Sequence, residues 1–297
     1  MCTICGCGSA IPHAHDFEHH RHDDHRHDHH RHDEPRQDGH AHHGHGQTVD
    51  HAHADLPQTR RVAPETATRI RIERDLLAEN DRHATANRAF LTRRGAVALN
   101  LLSSPGSGKT TLLERTVADL RQRLPIAVIE GDQETSFDAD RVRAAGVRAV
   151  QINTGKVCHL DAHMVGHALS DLDPPPGSAV FIENVGNLVC PSAFDLGEAK
   201  KVVFLSVTEG DDKPRKYKDM FAVADLVLIT KIDLLPYVRF DLARCLSFAE
   251  AVNPGVPSMA VSAFDGSGLE AWYAWIAACV PATPAQPAQP TTTTAGV

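Results

Sequence analysis

The chain has 297 residues, 42% of them hydrophobic, and a formal net charge of −8, which leaves no basic footprint for nucleic acid. No apolar run approaches the roughly 20 residues that span a bilayer, and no basic-then-apolar N-terminus marks a secretory signal. Membrane insertion is therefore not expected, and the seven cysteines are expected in a reducing cytosol, as metal ligands or core residues rather than disulfides.

Residues 1–8 form a thiol-rich leader, with Cys2, Cys5 and Cys7 packed among glycines. Three thiolates this close suit one soft or borderline metal: zinc with a fourth ligand, or nickel in a square S₃N set with a backbone or α-amino nitrogen. A redox pair is the competing reading, but no thioredoxin-like βαβ pattern surrounds these cysteines. Residues 9–64 follow as a His-rich segment, and all but four of the 20 histidines lie between His13 and His53. With Asp and Arg but few large apolar residues, this stretch is expected to be disordered. Its imidazoles form a multisite sponge for Ni²⁺, Zn²⁺ or Cu²⁺, or else a solvated linker that binds metal incidentally.

Residues 65–94 read as an N-terminal helix, centred on Ala67–Leu91, that packs on the rest of the chain or on a second subunit. From 95 to 280 apolar strands alternate with helical stretches. Strands are predicted at Val97–Leu102, Ile126–Glu130, Arg148–Ile152, Ala179–Glu183, Val202–Val207, Leu226–Thr230 and Met259–Ser262. Helices are predicted at Thr110–Leu124, Ala139–Ala145, His159–Asp171, Arg215–Ala222, Leu242–Val252 and Leu269–Val280. Continuous apolar strands such as Ala179-Val180-Phe181-Ile182 imply burial on both faces. The fold class is thus α/β, a doubly wound, mostly parallel sheet with its ligand at the carboxyl ends of the strands. Residues 281–297 read as a disordered tail.

Ser103-Ser104-Pro105-Gly106-Ser107-Gly108-Lys109-Thr110 lies between the first strand and its helix, the setting of a P-loop. Backbone N–H groups of Gly106, Ser107, Gly108, Thr110 and Thr111 would converge on phosphate oxygens, aided by the helix dipole. Lys109 would reach the β- and γ-phosphates, and the Thr110 hydroxyl would ligate Mg²⁺. Three segments in order then suggest guanine. Glu183-Asn184-Val185-Gly186 resembles the Asp-x-x-Gly switch of G proteins, with Glu183 near Mg²⁺ and Gly186 near a γ-phosphate. Thr230-Lys231-Ile232-Asp233 resembles Asn-Lys-x-Asp, with Asp233 reading the base and Lys231 packing on the ring. Ser262-Ala263 resembles the backbone contact to guanine O6. Asp132 is a candidate for Mg²⁺ binding or water positioning, against the plainer reading of a loop or cap residue.

A second metal set lies inside the domain. Cys158 and His159 leave a strand near a predicted helix start, where a thiolate is favoured. Adjacent Cys and His side chains are expected at an exposed site. Cys190 follows the Glu183–Gly186 segment as a third ligand. His159, His163 and His167 recur at i, i+4, i+8; His163 is a reserve ligand, and His163 and His167 otherwise read as a polar helix face. Cys245 and Cys279 read as core residues.

The P-loop, the run Glu183 to Pro191, Ser206-Val207-Thr208-Glu209-Gly210-Asp211-Asp212-Lys213-Pro214, Cys158-His159-Leu160-Asp161 and the Cys2/Cys5/Cys7 leader together resemble the HypB family. These are SIMIBI-class P-loop GTPases that help deliver nickel to [NiFe]-hydrogenase. The resemblance implies a cytoplasmic, GTP-favoured homodimer with slow intrinsic turnover. It implies as partners the nickel chaperone HypA and the [NiFe]-hydrogenase large subunit precursor. It also implies nickel at Cys2, Cys5 and Cys7, and nickel or zinc at Cys158, His159 and Cys190. Ser103 in place of the first P-loop glycine and Thr230 in place of Asn depart from the usual motifs, and Thr230 bears on guanine selectivity. Rival readings are a urease accessory GTPase, which the thiol-rich start and Cys158-His159 argue against, and a nickel or zinc storage protein with a vestigial nucleotide domain.

Overall fold

A computed structural model describes residues 64–132, 143, 146–155 and 157–281, with only the backbone at 64–67, 69 and 70. The Cys2/Cys5/Cys7 leader, the His-rich segment, most of the predicted 139–145 helix and the tail from 282 lie outside the described residues. The chain divides into a unit of residues 9–67 and a second unit that contains Thr68 onward.

Seven strands, β1 (Val97–Ser103), β2 (Ile126–Asp132), β3 (Arg148–Asn153), β4 (Ala179–Glu183), β5 (Lys200–Ser206), β6 (Leu226–Thr230) and β7 (Ser258–Ala260), form one sheet. Its order is β3-β2-β4-β1-β5-β6-β7, and all six pairings are parallel. The helices are α1 (Pro64–Arg93), α2 (Lys109–Leu120), α3 (Ala162–Leu172), α4 (Lys213–Lys216), α5 (Lys218–Ala222), α6 (Leu242–Val252) and α7 (Leu269–Cys279).

Strand side chains alternate between the two faces of the sheet. Leu99, Leu101, Phe181 and Phe204 meet Leu113 and Val117 of α2 and Trp272 and Ile276 of α7 on one side. Ala98, Ile129, Val180 and Ile182 meet Val165 and Leu169 of α3 and Leu91 of α1 on the other. The same side continues under α5 and α6, where Val203, Leu205 and Ile229 pack on Phe221, Cys245 and Ala249. Phe181 is fully buried, so Phe181→Ala would cost about 3–5 kcal/mol.

The chain leaves β1 for β2 on one side of the sheet and later places β5 on the other. The reversal lies at β1, and a crevice opens at its carboxyl end. Element edges differ from the sequence pattern in informative places. β2 runs on through Gly131 and Asp132, because Gly131 and Asp132 still pair with Ile152 and Asn153. The predicted helix 215–222 is two short helices broken at Tyr217, whose φ of −116° and ψ of 52° are not helical. The predicted helix from His159 starts instead at Ala162, where the Asp161 carboxylate caps it by accepting from the Met164 N–H at 2.8 Å. Short 3₁₀ turns at Cys190–Ala193 and Ile232–Tyr237, each containing a proline, have no counterpart in the sequence pattern.

α1 packs on the domain through its C-terminal half. Asn80 donates to the Asp195 carbonyl, and Arg88 grips the Asp195 carboxylate with contacts of 2.9 and 2.8 Å. Further toward its start, Ile72 and Leu76 are each 50% exposed.

Candidate nucleotide site and adjoining metal cluster

The crevice at the end of β1 has a volume of about 550 Å³. Its walls are residues 103–111, Glu130, Gly131, Asp132, residues 183–186 and Lys231. Every predicted P-loop residue therefore lines one cavity, together with Asp132, Glu183, Gly186 and Lys231. Glu130 is a further wall, and the sequence pattern did not single it out. α2 begins at Lys109, directly after Gly108, whose φ of 87° is left-handed backbone that a side chain would strain. That turn aims the first amides of α2 into the cavity, where an anion meets the positive end of the helix.

Lys109 is buried, with its ammonium 3.7 Å from Glu183 and donating to the Asn184 carbonyl. Burial pulls its pKa below the ordinary lysine value, opposed by the carboxylates of Glu183, Glu130 and Asp132. The Thr110 hydroxyl donates to Glu183 at 2.6 Å. Ser107 adds a buried hydroxyl with no hydrogen-bond partner among the described residues. Hydroxyl and carboxylate oxygens around one ammonium fit a hard divalent cation and a polyphosphate together.

Thr230 stands where the usual motif has Asn, and the structure gives it a defined task. Its buried hydroxyl donates to the Ser107 carbonyl at 2.6 Å and ties the end of β6 to the P-loop. Lys231, at φ 59°, reaches back so that its ammonium donates to the Gly106 carbonyl at 2.7 Å. Its stem lies over Gly108, where an added Cβ would come within 3.3 Å of Cε. Asp233 is held by the Ser262 hydroxyl at 2.6 Å, and that hydroxyl also accepts from the Phe264 and Asp265 N–H groups. The Ala263 carbonyl accepts from Arg115. Asp233, Ser262 and Ala263 thus form a second group, two residues beyond Lys231 and outside the cavity wall. Phe264 beside them is 87% exposed, which only the structure could show.

Cys158, His159 and Cys190 converge, with their ligand atoms all within 4.8 Å of one another. The two sulfurs are 3.1 Å apart, and Cys158 Sγ is 3.9 Å from His159 Nδ1. The expected exposure is corrected: Cys190 is fully buried, His159 is buried and stacked on Phe194 with ring centroids 4.1 Å apart, and only Cys158 is half-buried. Burial lowers the His159 pKa, against a smaller opposing effect of Asp161, and favours the neutral imidazole a metal requires. Cys158 lies four positions before the first residue of α3, not at a helix start as the predicted boundary at His159 implied. For the same reason His159 is not on the helix, and the three-histidine stripe shrinks to His163 and His167. Cys245 is buried as expected, with its pKa pushed up to about 12 by desolvation, whereas Cys279 is only half-buried.

The two sites touch through Asn184, to which the sequence pattern assigns no role. Its buried side-chain oxygen accepts from the Leu160 and Val185 N–H groups at 3.1 and 3.0 Å, and its amide donates to Asn100 at 3.3 Å. The Asn187 amide reaches the Cys158 carbonyl at 3.5 Å. The segment carrying Glu183 and Gly186 is thereby bonded to the loop carrying Cys158 and His159.

A P-loop at the switch point of an all-parallel sheet, with a Cys-His-Cys set that could hold a metal ion on the neighbouring loops, defines a nucleotide-binding protein with a candidate transition-metal site. Residues 97–260 match the family described as CobW/HypB/UreG, nucleotide-binding domain. Over 283 residues the chain is 56% identical to hydrogenase maturation factor HypB of Rhizobium leguminosarum bv. viciae, covering 92% of this chain and 95% of that protein. The solved structure of hydrogenase maturation factor HypB from Archaeoglobus fulgidus superposes with a TM-score of 0.65 at 42% identity, covering 69% of this chain and all of the other. That of HypB from Helicobacter pylori in complex with nickel gives 0.63 at 42% identity, over 67% and 93%. The chain belongs to the HypB family of hydrogenase maturation factors.

Proposed function

We propose that this chain is a GTP-hydrolysing nickel metallochaperone that loads nickel into a [NiFe]-hydrogenase precursor. Family membership supports the maturation role. The observation that carries the mechanism is the hydrogen-bonded bridge from the nucleotide switch to the Cys158/His159/Cys190 set.

The P-loop amides of residues 106–111 bind the phosphates, and Lys109 moves from the Asn184 carbonyl to the β- and γ-phosphate oxygens. Asp233 accepts from the N1–H and exocyclic amine of guanine, and Ser262 holds that carboxylate in place. Thr110, Glu183 and Asp132 are the residues that would hold Mg²⁺, which supplies charge neutralisation to the phosphates when bound. Lys109, Asp132 and Glu183 are the residues assigned to hydrolysis. Gly186 contacts the γ-phosphate through its N–H, so gain or loss of that phosphate shifts residues 184–187. Asn184 and Asn187 pass the shift to Leu160 and Cys158. A displacement of about 1 Å takes a thiolate or imidazole out of the about 2.0–2.3 Å bonding range.

Nickel is the cargo of the internal site, and zinc is its chemical competitor there. The Cys2/Cys5/Cys7 leader and the histidines from His13 to His53 add metal capacity upstream. A homodimer favoured by GTP, transfer from HypA, slow turnover and a cytoplasmic setting complete the proposal. Hydrogenase activity in a deletion strain tests it: the intact gene should restore nickel-dependent activity, and Lys109→Ala should not. Restoration by Lys109→Ala would leave a metal-storage protein in place of the GTPase.

A further inference from the structure

Asp233 is held by a turn that the structure ties to the P-loop helix. After β7 the chain folds back on itself through residues 262–268. Ser262 is fully buried; its N–H donates to the Ser267 carbonyl at 2.9 Å, and its carbonyl accepts from the Gly266 N–H at 3.1 Å. Gly268 closes the turn at φ 74°, where an added Cβ would collide with the Ala260 carbonyl.

Arg115 of α2 reaches this turn from the side. Its Nη1 donates to the Ala263 carbonyl at 3.2 Å, and a Cβ on Gly266 would come 3.9 Å from its Nη2. The guanidinium is itself fixed. Its Nε donates to Asp119, one helical turn further on, at 2.8 Å, and the Tyr273 hydroxyl of α7 donates to the same Asp119 oxygen at 2.7 Å. Arg115, and then Tyr273, hold the Asp119 carboxyl below the ordinary carboxylate range. The planar fork serves two partners at once, Nε for the carboxylate and Nη1 for the carbonyl, a geometry that a lysine ammonium lacks. Trp272 of α7 joins the same two helices, its indole N–H donating to the buried Thr116 hydroxyl at 2.9 Å.

The Ala263 carbonyl and the Phe264 N–H belong to one peptide unit. That N–H donates to the Ser262 hydroxyl at 3.2 Å, and the hydroxyl donates to Asp233 at 2.6 Å. Donors therefore run head to tail from Arg115 through the peptide and Ser262 to Asp233, and each polarises the next. We infer that Arg115, oriented by Asp119 and Tyr273, is a positioning residue for Asp233, so that the P-loop helix helps to set selectivity for the edge of the purine. This role rests on Asp233 being the acceptor for guanine, as proposed above.

The test compares the affinity of the full-length chain for GDP and for inosine diphosphate, which differs only by lacking the exocyclic amine, using titration calorimetry. The unaltered chain should bind GDP about tenfold or more tightly, because the amine donates to a charged acceptor. Arg115→Ala should reduce that ratio about threefold or more, and in GTP turnover the change should fall on KM more than on kcat. Arg115 is half-buried, and Arg115→Leu, which keeps the packing of the stem, should lower the ratio in the same way. General damage to the phosphate site would instead weaken both nucleotides alike and leave their ratio where it was. In an Asp233→Ala background Arg115→Ala should change the ratio no further, since its effect passes through that carboxylate. A folded variant of either kind that keeps the full ratio, in a parent chain that discriminates, overturns the role of Arg115 and leaves Asp233 as the base reader. A parent chain that binds the two nucleotides equally refutes the base assignment itself, and Arg115 then has no base-reading carboxylate to position.

Discussion

Asn184→Ala is the most incisive perturbation of the proposed switch. The side chain is 1% exposed and makes three hydrogen bonds, to the Leu160 N–H, the Val185 N–H and Asn100. Truncation strands the buried Leu160 N–H, at about 1–3 kcal/mol for one orphaned group, so the variant should melt lower but fold. Lys109 bonds to the main-chain carbonyl of Asn184, which the substitution leaves in place. Nucleotide affinity should therefore change little. Coupling between two sites is typically about 1–3 kcal/mol, or 5–150-fold in affinity, and it is reciprocal. One or two hydrogen bonds at about 0.5–1.5 kcal/mol each can carry most of that. The assay is Ni²⁺ affinity of the internal site in a full-length, leader- and tract-substituted chain, with a non-hydrolysable GTP analogue and with GDP. The intact switch should give a ratio of affinities in the range above, and Asn184→Ala should bring it close to one. A folded Asn184→Ala protein that keeps the full ratio would show that coupling does not pass through this side chain. Equal affinities in the parent itself would make the thiolate cluster a static structural site.

Asp233→Asn exchanges acceptor for donor at the guanine edge and should shift preference from GTP toward xanthosine triphosphate, at a cost of about 2–3 kcal/mol in GTP binding; equal binding of ATP and GTP by the unaltered chain would refute the base assignment. Thr230→Val keeps the shape but strands the buried Ser107 carbonyl, which should raise the nucleotide Kd about fivefold or more, read by titration calorimetry. An unchanged Kd and an unchanged melting temperature would deny Thr230 its role in bracing the P-loop. Deleting His13 to His53 should reduce bound nickel from several ions to about one or two per chain and leave GTP turnover nearly unchanged; collapse of hydrolysis would make that segment a working part of the enzyme.

The phosphate site was legible in the chain because its signals are local. A strand, a glycine turn and a helix start fall within residues 97–120, and their order alone implies amides converging on an anion. The apolar runs of β1, β4 and β6 likewise announced a sheet buried on both faces. Boundaries were less legible where tertiary contacts override propensity. β2 continues through Gly131 because β3 pairs with it, and α3 waits for the Asp161 cap instead of starting at His159.

What the sequence by itself determined was therefore chemistry of short range: the P-loop motif, the carboxylates and candidate base-reading residues placed at strand ends, and the thiols available for metal. Only the tertiary structure decided which of these residues meet. Cys158 and Cys190 are 32 positions apart in the chain, yet their sulfurs lie 3.1 Å apart. No periodicity encodes that distance. It follows from the strand order β3-β2-β4, which brings the segments following β3 and β4 together at one end of the sheet. Asn184 as a bridge has the same origin. Each depends on elements far apart in sequence being locked by burial and by a few satisfied polar clamps, Asn80, Asn87 and Asn100 among them, whose partners exist only once the chain has folded.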